Sequence, residues 1–187
     1  QALYGNMVEW VQADLGGKVV KIDPKEKIVE TSSGEKIKGD VINFIPYQKA
    51  GELVIASGLA DEKGWAQINP KTFESKVAKD VYIIGDSAAT PMPKSGFSAN
   101  SHGKVAAAAI VSKVNGKLPE DTTIVNTCYS LVSPDYGISV AAVYNVSEQG
   151  IVAVKGAGGV SPAGMDEKFR KKEAVYAQVW CDNIVAD

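Results

Sequence analysis

The 187-residue sequence predicts an α/β segment followed by an α+β domain of antiparallel strands and a closing helix. Three observations carry this prediction. Residues 40–46 (DVINFIP) are almost continuously apolar, which suits a strand buried on both faces of a parallel sheet. Residues 81–84 (VYII) form a β-branched run that stops abruptly at Gly85-Asp86 and leads through a loop into a helix. Between 122 and 155 three stretches separated by turns read as antiparallel strands, and from 166 to 185 apolar residues recur at helical spacing.

Each element follows from its pattern. Leu3, Met7, Trp10 or Val11, and Leu15 predict a helix over 2–15, stopped by Gly16-Gly17. Residues 18–23, 27–31 and 35–38 read as three short strands, separated by Pro24-Lys25 and Ser33-Gly34. The apolar strand 40–46 follows. Residues 51–60 read as a short helix or loop, and 67–69 as a short strand. A loop containing Pro91, Pro93, Ser95 and Gly96 precedes a helix over 98–114, whose inner face is assigned to Ala106, Ala107, Ala108 and Ala109. Asn115-Gly116 ends that helix. Strands are predicted at 122–133, 138–145 and 151–155, with turns at Pro134-Asp135 and Gln149-Gly150 and a glycine-rich turn at 156–159. The closing helix, 166–185, has Phe169, Tyr176, Val179 or Trp180, and Ile184 on its apolar face.

Composition excludes several classes. Apolar residues make up 45% and charged residues 22%, an ordinary globular balance that needs no disulfide or metal to form a core. Disordered, collagen-like, coiled-coil and cystine-rich classes do not fit. Lys plus Arg number 20 against 22 Asp plus Glu, so the basic surplus expected of a nucleic-acid partner is absent. The local cluster Lys168, Arg170, Lys171 and Lys172 alternates with Asp166, Glu167 and Glu173 and reads as a solvated helix face. The longest apolar run, 105–111, falls far short of the ~20 residues of a membrane span. The sequence opens on Gln1 with no signal-peptide pattern, so a processed, truncated or excised piece of a longer chain is expected. Cys128 and Cys181 lack CxxC spacing and leave two readings open, one disulfide or two buried free thiols. With His102 as the single histidine and no GxSxG, neither a metal site nor a Ser-His-Asp triad is expected.

No GxGxxG or Walker motif occurs. The candidate site is therefore the strand–Gly–Asp–loop–helix unit over 81–115. Asp86 would stand at the carboxyl edge of a sheet, where α/β proteins bind ligands and where a carboxylate can accept hydrogen bonds from sugar-like hydroxyls. The helix beginning near Ser98-Ala99-Asn100 offers free N–H groups and a positive dipole end to a negatively charged ligand atom. As pattern alone, a structural turn and a cofactor site are equally well supported.

These residues carry a resemblance. KDVYIIGD at 79–86 is similar to the second flavin-contacting signature of the two-dinucleotide-domain flavoproteins. PMPKSGFSANSHGKVAAAAI at 91–110, NTCYSLVSPDYGISVAAVY at 126–144, GGVSP at 158–162 and YAQVWCDNIVAD at 176–187 resemble the flavoprotein subunit of flavocytochrome c sulfide dehydrogenase. The resemblance runs through essentially the whole chain. It implies a parent about twice as long, whose front half would carry the GxGxxG motif and most of the FAD site. Residues 1–46 would be the end of a second, NAD-like nucleotide-binding domain. Residues 47–117 would be the returning segment of a Rossmann-like FAD-binding domain, and 118–187 the C-terminal domain facing a cytochrome subunit. It further implies a periplasmic protein, with sulfide as substrate, FAD as cofactor and a c-type cytochrome as partner. FAD is expected for the parent and not for this chain alone, which should be inactive and colourless.

Carried over by residue, Gly85 and Asp86 would hold the ribityl and pyrophosphate region of FAD. Backbone groups at Phe97, Ser98 and Ala99 would face the pyrimidine edge of its ring, where negative charge gathers on reduction. Lys94 would add a positive charge there or stand as a solvated loop lysine. One departure bears on the chemistry. Family members carry a redox disulfide beside the flavin, one partner of which follows a Gly-Trp pair; here Gly64-Trp65 precedes Ala66. A second reading is thus a non-catalytic module that docks a cytochrome or another electron-transfer partner. A third is a relative of the sulfide:quinone or NADH:quinone reductases, although the charged stretch 166–173 does not suit their membrane-facing helix.

Overall fold

A computed structural model describes residues 5–186. Contacts divide the chain into two compact units, residues 1–47 and 48–187.

The first unit is an antiparallel meander of β1 (Val19–Asp23), β2 (Ile28–Thr31) and β3 (Lys36–Lys38), in that spatial order. The sequence spacing locates all three. Asp23 Oδ1 accepts the N–H groups of Lys25 and Glu26, both at 3.0 Å, which closes the β1–β2 turn after Pro24. Two expectations are corrected here. The helix over 2–15 is, among the described residues, two short 3-10 turns at Gly5–Met7 and Ala13–Leu15; Leu3 lies outside the described residues. The apolar stretch 40–46 is not a strand, and Val41 and Ile45 are 86% and 77% exposed. Both corrections share a cause. No apolar residue of 5–47 is buried. Three short strands offer no surface on which an amphipathic helix or a two-faced strand could pack.

The second unit opens with a short helix α1 (Glu52–Ala56) and an irregular segment tied by single bridges, Ile68 to Ser75 and Glu74 to Tyr82 among them. Residues 81–84, expected as a strand, are held only on one side: Ile83 N–H donates to the Phe73 carbonyl at 2.9 Å, and Ile84 stays 44% exposed. The one parallel pairing among the described residues is an isolated bridge between Ala66 and Ala88, so the architecture is α+β. Helix α2 (Gly96–Val114) buries Val105, Ala106 and Ala109, while Ala107 and Ala108 face outward. Four consecutive residues cannot share one face at 3.6 residues per turn.

The C-terminal sheet is a second meander, β4 (Thr122–Ser133), β5 (Tyr136–Ser147) and β6 (Gly150–Val160). The glycine-rich 156–159 expected as a turn belongs to β6, whose register slips opposite Ala142 and Tyr144. Ile124, Tyr144, Val146 and Ile151 cover one core with Phe73, Ile83, Met92, Val105 and Ala106. Helix α3 (Glu167–Ala186) crosses β5 and β4 elsewhere, with its backbone over Gly137, where a Cβ would overlap Ala174 N. Its buried residues are Arg170, Glu173 and Ala174, whereas Tyr176 and Val179 are about half exposed. The basic cluster is therefore not wholly solvated, because one of its members faces the sheet.

Candidate functional site

The local chain is built outward from Gly85. Its φ is +68°, and a Cβ there would stand 3.2 Å from the Ala99 Cβ, so only glycine fits both the turn and the approach of α2. Gly85–Ser87 forms a single 3-10 turn, closed by Ala88 N–H on the Gly85 carbonyl at 3.1 Å. The neighbouring strand-like segment locks the turn from the other side. Ala66 N–H donates to the Ser87 carbonyl at 3.0 Å, and Ala89 N–H to the Ala66 carbonyl at 2.8 Å. Ala66, at the position where the resemblance implies a cysteine, is fully buried here and pairs with Ala88, two residues along the chain from Asp86.

Asp86 is exposed, and no ion pair among the described residues uses its carboxylate. The Lys94 ammonium donates to the Asp86 carbonyl at 2.6 Å and the Ala88 carbonyl at 3.1 Å, and lies 3.9 Å from the centre of the Trp65 ring. Its side chain is exposed, so both sequence readings of Lys94 remain open. Desolvation by burial lowers its pKa against the opposing pull of Asp86. Trp65 is positioned by Asp61, whose Oδ1 accepts its N–H at 3.0 Å.

The start of α2 is capped by Ser95, whose Oγ accepts Ser98 N–H at 3.1 Å. Ser95 Oγ and Ser98 Oγ both donate to Asn126 Oδ1, at 2.6 and 3.0 Å, and Asn126 on β4 is fully buried. Ser101 Oγ adds a bond to the Val125 carbonyl at 2.8 Å. Phe97 stacks on Trp180 of α3, with ring centres 5.4 Å apart. The first turn of α2 carries no acid, so its N–H groups and dipole face no competing negative charge. Replacing Asn126 by leucine takes the acceptor from the buried Ser98 hydroxyl and the half-buried Ser95 hydroxyl and is expected to cost about 2 kcal/mol in urea unfolding.

The six residues singled out from sequence thus converge. Gly85 touches Ala99, Lys94 binds the Asp86 carbonyl, and Phe97, Ser98 and Ala99 form the first turn of α2. Phe97 contributes backbone only, because its ring is turned to Trp180. Cys128 and Cys181 are both free; neither is buried, and Cys181 is exposed. Cys128 Sγ accepts from Asn126 Nδ2 at 3.4 Å.

Sequence reasoning missed His102. Its imidazole is 1% exposed, stacks on Phe73 at 4.5 Å and accepts Gly85 N–H on Nδ1 at 3.2 Å, while Nε2 lies 3.3 Å from Met92 Sδ. A backbone N–H can only donate, so Nδ1 is bare and the proton sits on Nε2. Burial, and then the Lys94 charge, push the His102 pKa down to about 4 against the smaller pull of Asp86. A histidine with a depressed folded value contributes stability above its unfolded pKa near 6.5 and loses it as pH falls toward the folded one. Unfolding free energy should drop by about 2 kcal/mol between pH 7 and 5, and the His102→Asn variant should lack that slope. Urea midpoints across that range measure it.

Two family models match the chain. One, described as flavocytochrome c sulphide dehydrogenase, flavin-binding, matches residues 120–187. The other, described as sulfide dehydrogenase (flavocytochrome c) flavoprotein chain, central, matches residues 1–46. The chain is also similar to the mitochondrial sulfide:quinone oxidoreductase of Schizosaccharomyces pombe, 27% identical over 112 residues, which cover 52% of this chain and 24% of that enzyme. It thus spans about a quarter of that relative's length.

Proposed function

Because the chain belongs to the flavoprotein family of flavocytochrome c sulfide dehydrogenase, we propose that its Gly85–Ala99 cluster is one wall of an FAD site in a periplasmic sulfide-oxidising flavoprotein. The family makes it a sulfide dehydrogenase-related flavoprotein oxidoreductase. In the proposed parent, residues 1–46 close a second nucleotide-binding domain. Residues 47–117 are the returning, Rossmann-like segment of the FAD domain, and 118–187 form the C-terminal domain. The observation that carries the reading is the grip of Asn126, inside the matched flavin-binding region, on the capping serines of α2.

The residues present fit such a cofactor. Asp86 has a free carboxylate to accept a sugar hydroxyl, and the close glycine contact keeps the turn flush against α2. The α2 dipole favours negative charge beyond its first turn. Lys94 shapes the turn by donating to two of its carbonyls, and its side chain stays exposed. Bound FAD would supply two-electron acceptance from sulfide and one-electron release to a c-type haem. Ala66 brings no thiol to the site. Among the described residues no helix is long and apolar enough to cross a membrane.

The test is sulfide-dependent reduction of a c-type cytochrome by the intact flavoprotein. Reduction with stoichiometric flavin is expected, and a purified intact protein without flavin would overturn the reading. The similarity to the S. pombe enzyme favours one alternative acceptor, a quinone, and quinone reduction in place of cytochrome reduction would select it. An intact protein that holds flavin and binds a cytochrome yet leaves sulfide untouched would make this an interaction module, with Ala66 as the lesion.

A further inference from the structure

We propose that His102 is a positioning residue, whose bare Nδ1 holds Gly85 N–H and so fixes the turn that presents Asp86 toward the flavin; the last step rests on the flavin reading above. Gly85 N–H points inward, to the imidazole, and is thereby withheld from any ligand. That single bond orients the peptide before Asp86. It also ties the turn to α2 almost two helical turns beyond its capped end, since His102 lies in the body of that helix. The ring has little freedom to move away. Phe73 stacks on it, with a positive φ of 59° at a fully buried position, and Met92, 3% exposed, meets its other nitrogen.

The arrangement accepts one protonation state. An imidazolium would place an N–H on Nδ1 facing the Gly85 N–H, donor against donor. The charged groups that face the ring are Lys94, on the loop before α2, and Asp86, on the turn itself. Lys94 is held in place by the Asp86 and Ala88 carbonyls, so the same turn that His102 fixes also carries the cation that adds to burial in keeping His102 neutral. Turn, lysine and histidine form one closed set of contacts, in which loss of the Gly85 bond loosens the carbonyls that hold Lys94.

The test has two arms. In the ¹⁵N-labelled chain at pH 7, a scalar coupling across the hydrogen bond between Gly85 N and His102 Nδ1, with the ring in its Nε2–H tautomer, is expected; it should vanish as pH falls to about 4. Absence of the coupling at pH 7, or an Nδ1–H tautomer, overturns the proposal without touching the flavin reading. In the intact flavoprotein, His102→Phe keeps ring volume and stacking but offers no acceptor, whereas Asn in His102→Asn places an oxygen near the Nδ1 position. Flavin release should be about tenfold more favourable in the first and largely restored in the second. Equal flavin affinity in wild type and both variants overturns the link to the cofactor. Should His102→Phe fail to fold, the wild-type coupling and tautomer still decide the positioning role. An intact wild type that binds no flavin refutes the flavin reading and the presentation of Asp86 with it, while the coupling arm still decides whether His102 holds the turn.

Discussion

Replacing Arg170 by alanine is expected to lower the unfolding free energy by about 3 kcal/mol. The Arg170 guanidinium is 5% exposed, and Nη1 donates to Glu173 Oε2 at 3.1 Å. Its other terminal nitrogen donates to the Pro162 carbonyl. Glu173 Oε1 accepts Ser161 Oγ at 2.6 Å and Ser139 Oγ at 2.8 Å, so one ion pair pins α3 to β5 and to the segment after β6. Removing the cation strands a buried carboxylate with two hydroxyls for company. Burial pushes the Glu173 carboxyl up, but the Ser161, Ser139 and Arg170 hydrogen bonds outweigh it and hold it below its ordinary value. A depressed carboxyl contributes stability above its unfolded value of 4.5 and loses it as pH falls through the folded one. The penalty of Arg170→Ala should therefore shrink on acidification below about pH 4. Urea unfolding at pH 7 and at pH 3.5 measures both. A loss under about 1 kcal/mol at pH 7 would show that the pair does not hold the helix, and the apolar double variant Arg170→Met with Glu173→Leu should lie close to wild type.

Replacing Gly85 by valine should cost about 3 kcal/mol and empty the intact flavoprotein of flavin. A β-branched residue at φ +68° is strained by itself, and its Cβ would press on Ala99 at 3.2 Å in the first turn of α2. Relief requires either the turn or the helix start to move, and both belong to the proposed site. The expected result is a folded protein with a lowered urea midpoint and a flavin-to-protein ratio near zero. A variant that keeps full flavin would remove Gly85 from the site, and one with an unchanged midpoint would show that the turn tolerates the added carbons.

The turn of the candidate site was readable because its signal is local. Gly85-Asp86 after a β-branched run is a short-range pattern whose chemistry depends on backbone angles, whereas Ser95 read only as a loop residue and its cap on α2 was seen in the structure alone. Hairpins were legible for the same reason: alternation and turn residues located five strands of the two meanders closely, and the sixth, β6, up to the glycine-rich stretch that read as a turn. The segments that misled are those whose structure depends on a partner. Residues 40–46 and 81–84 have the composition of buried parallel strands, but no second parallel strand among the described residues pairs with them. His102 and Arg170 carried no signal either. A histidine between Ser101 and Gly103 and an arginine amid lysines read as ordinary surface or helix residues, and only the packing of distant segments buries them.

By itself, then, the sequence determined the order and type of the hairpins, the long helices, and the small set of residues gathered between Gly85 and Ala99. Local hydrophobic period and turn chemistry act over a few residues, and those are enough to set such elements. Only the tertiary structure decided that Lys94 donates to two carbonyls, that Asn126 clamps the start of α2 from a strand some thirty residues on, and that His102 is a neutral acceptor for Gly85. Asn126 and His102 are polar groups removed from water. A buried polar group must find its partner wherever the fold brings one within hydrogen-bonding distance, and sequence spacing does not encode that.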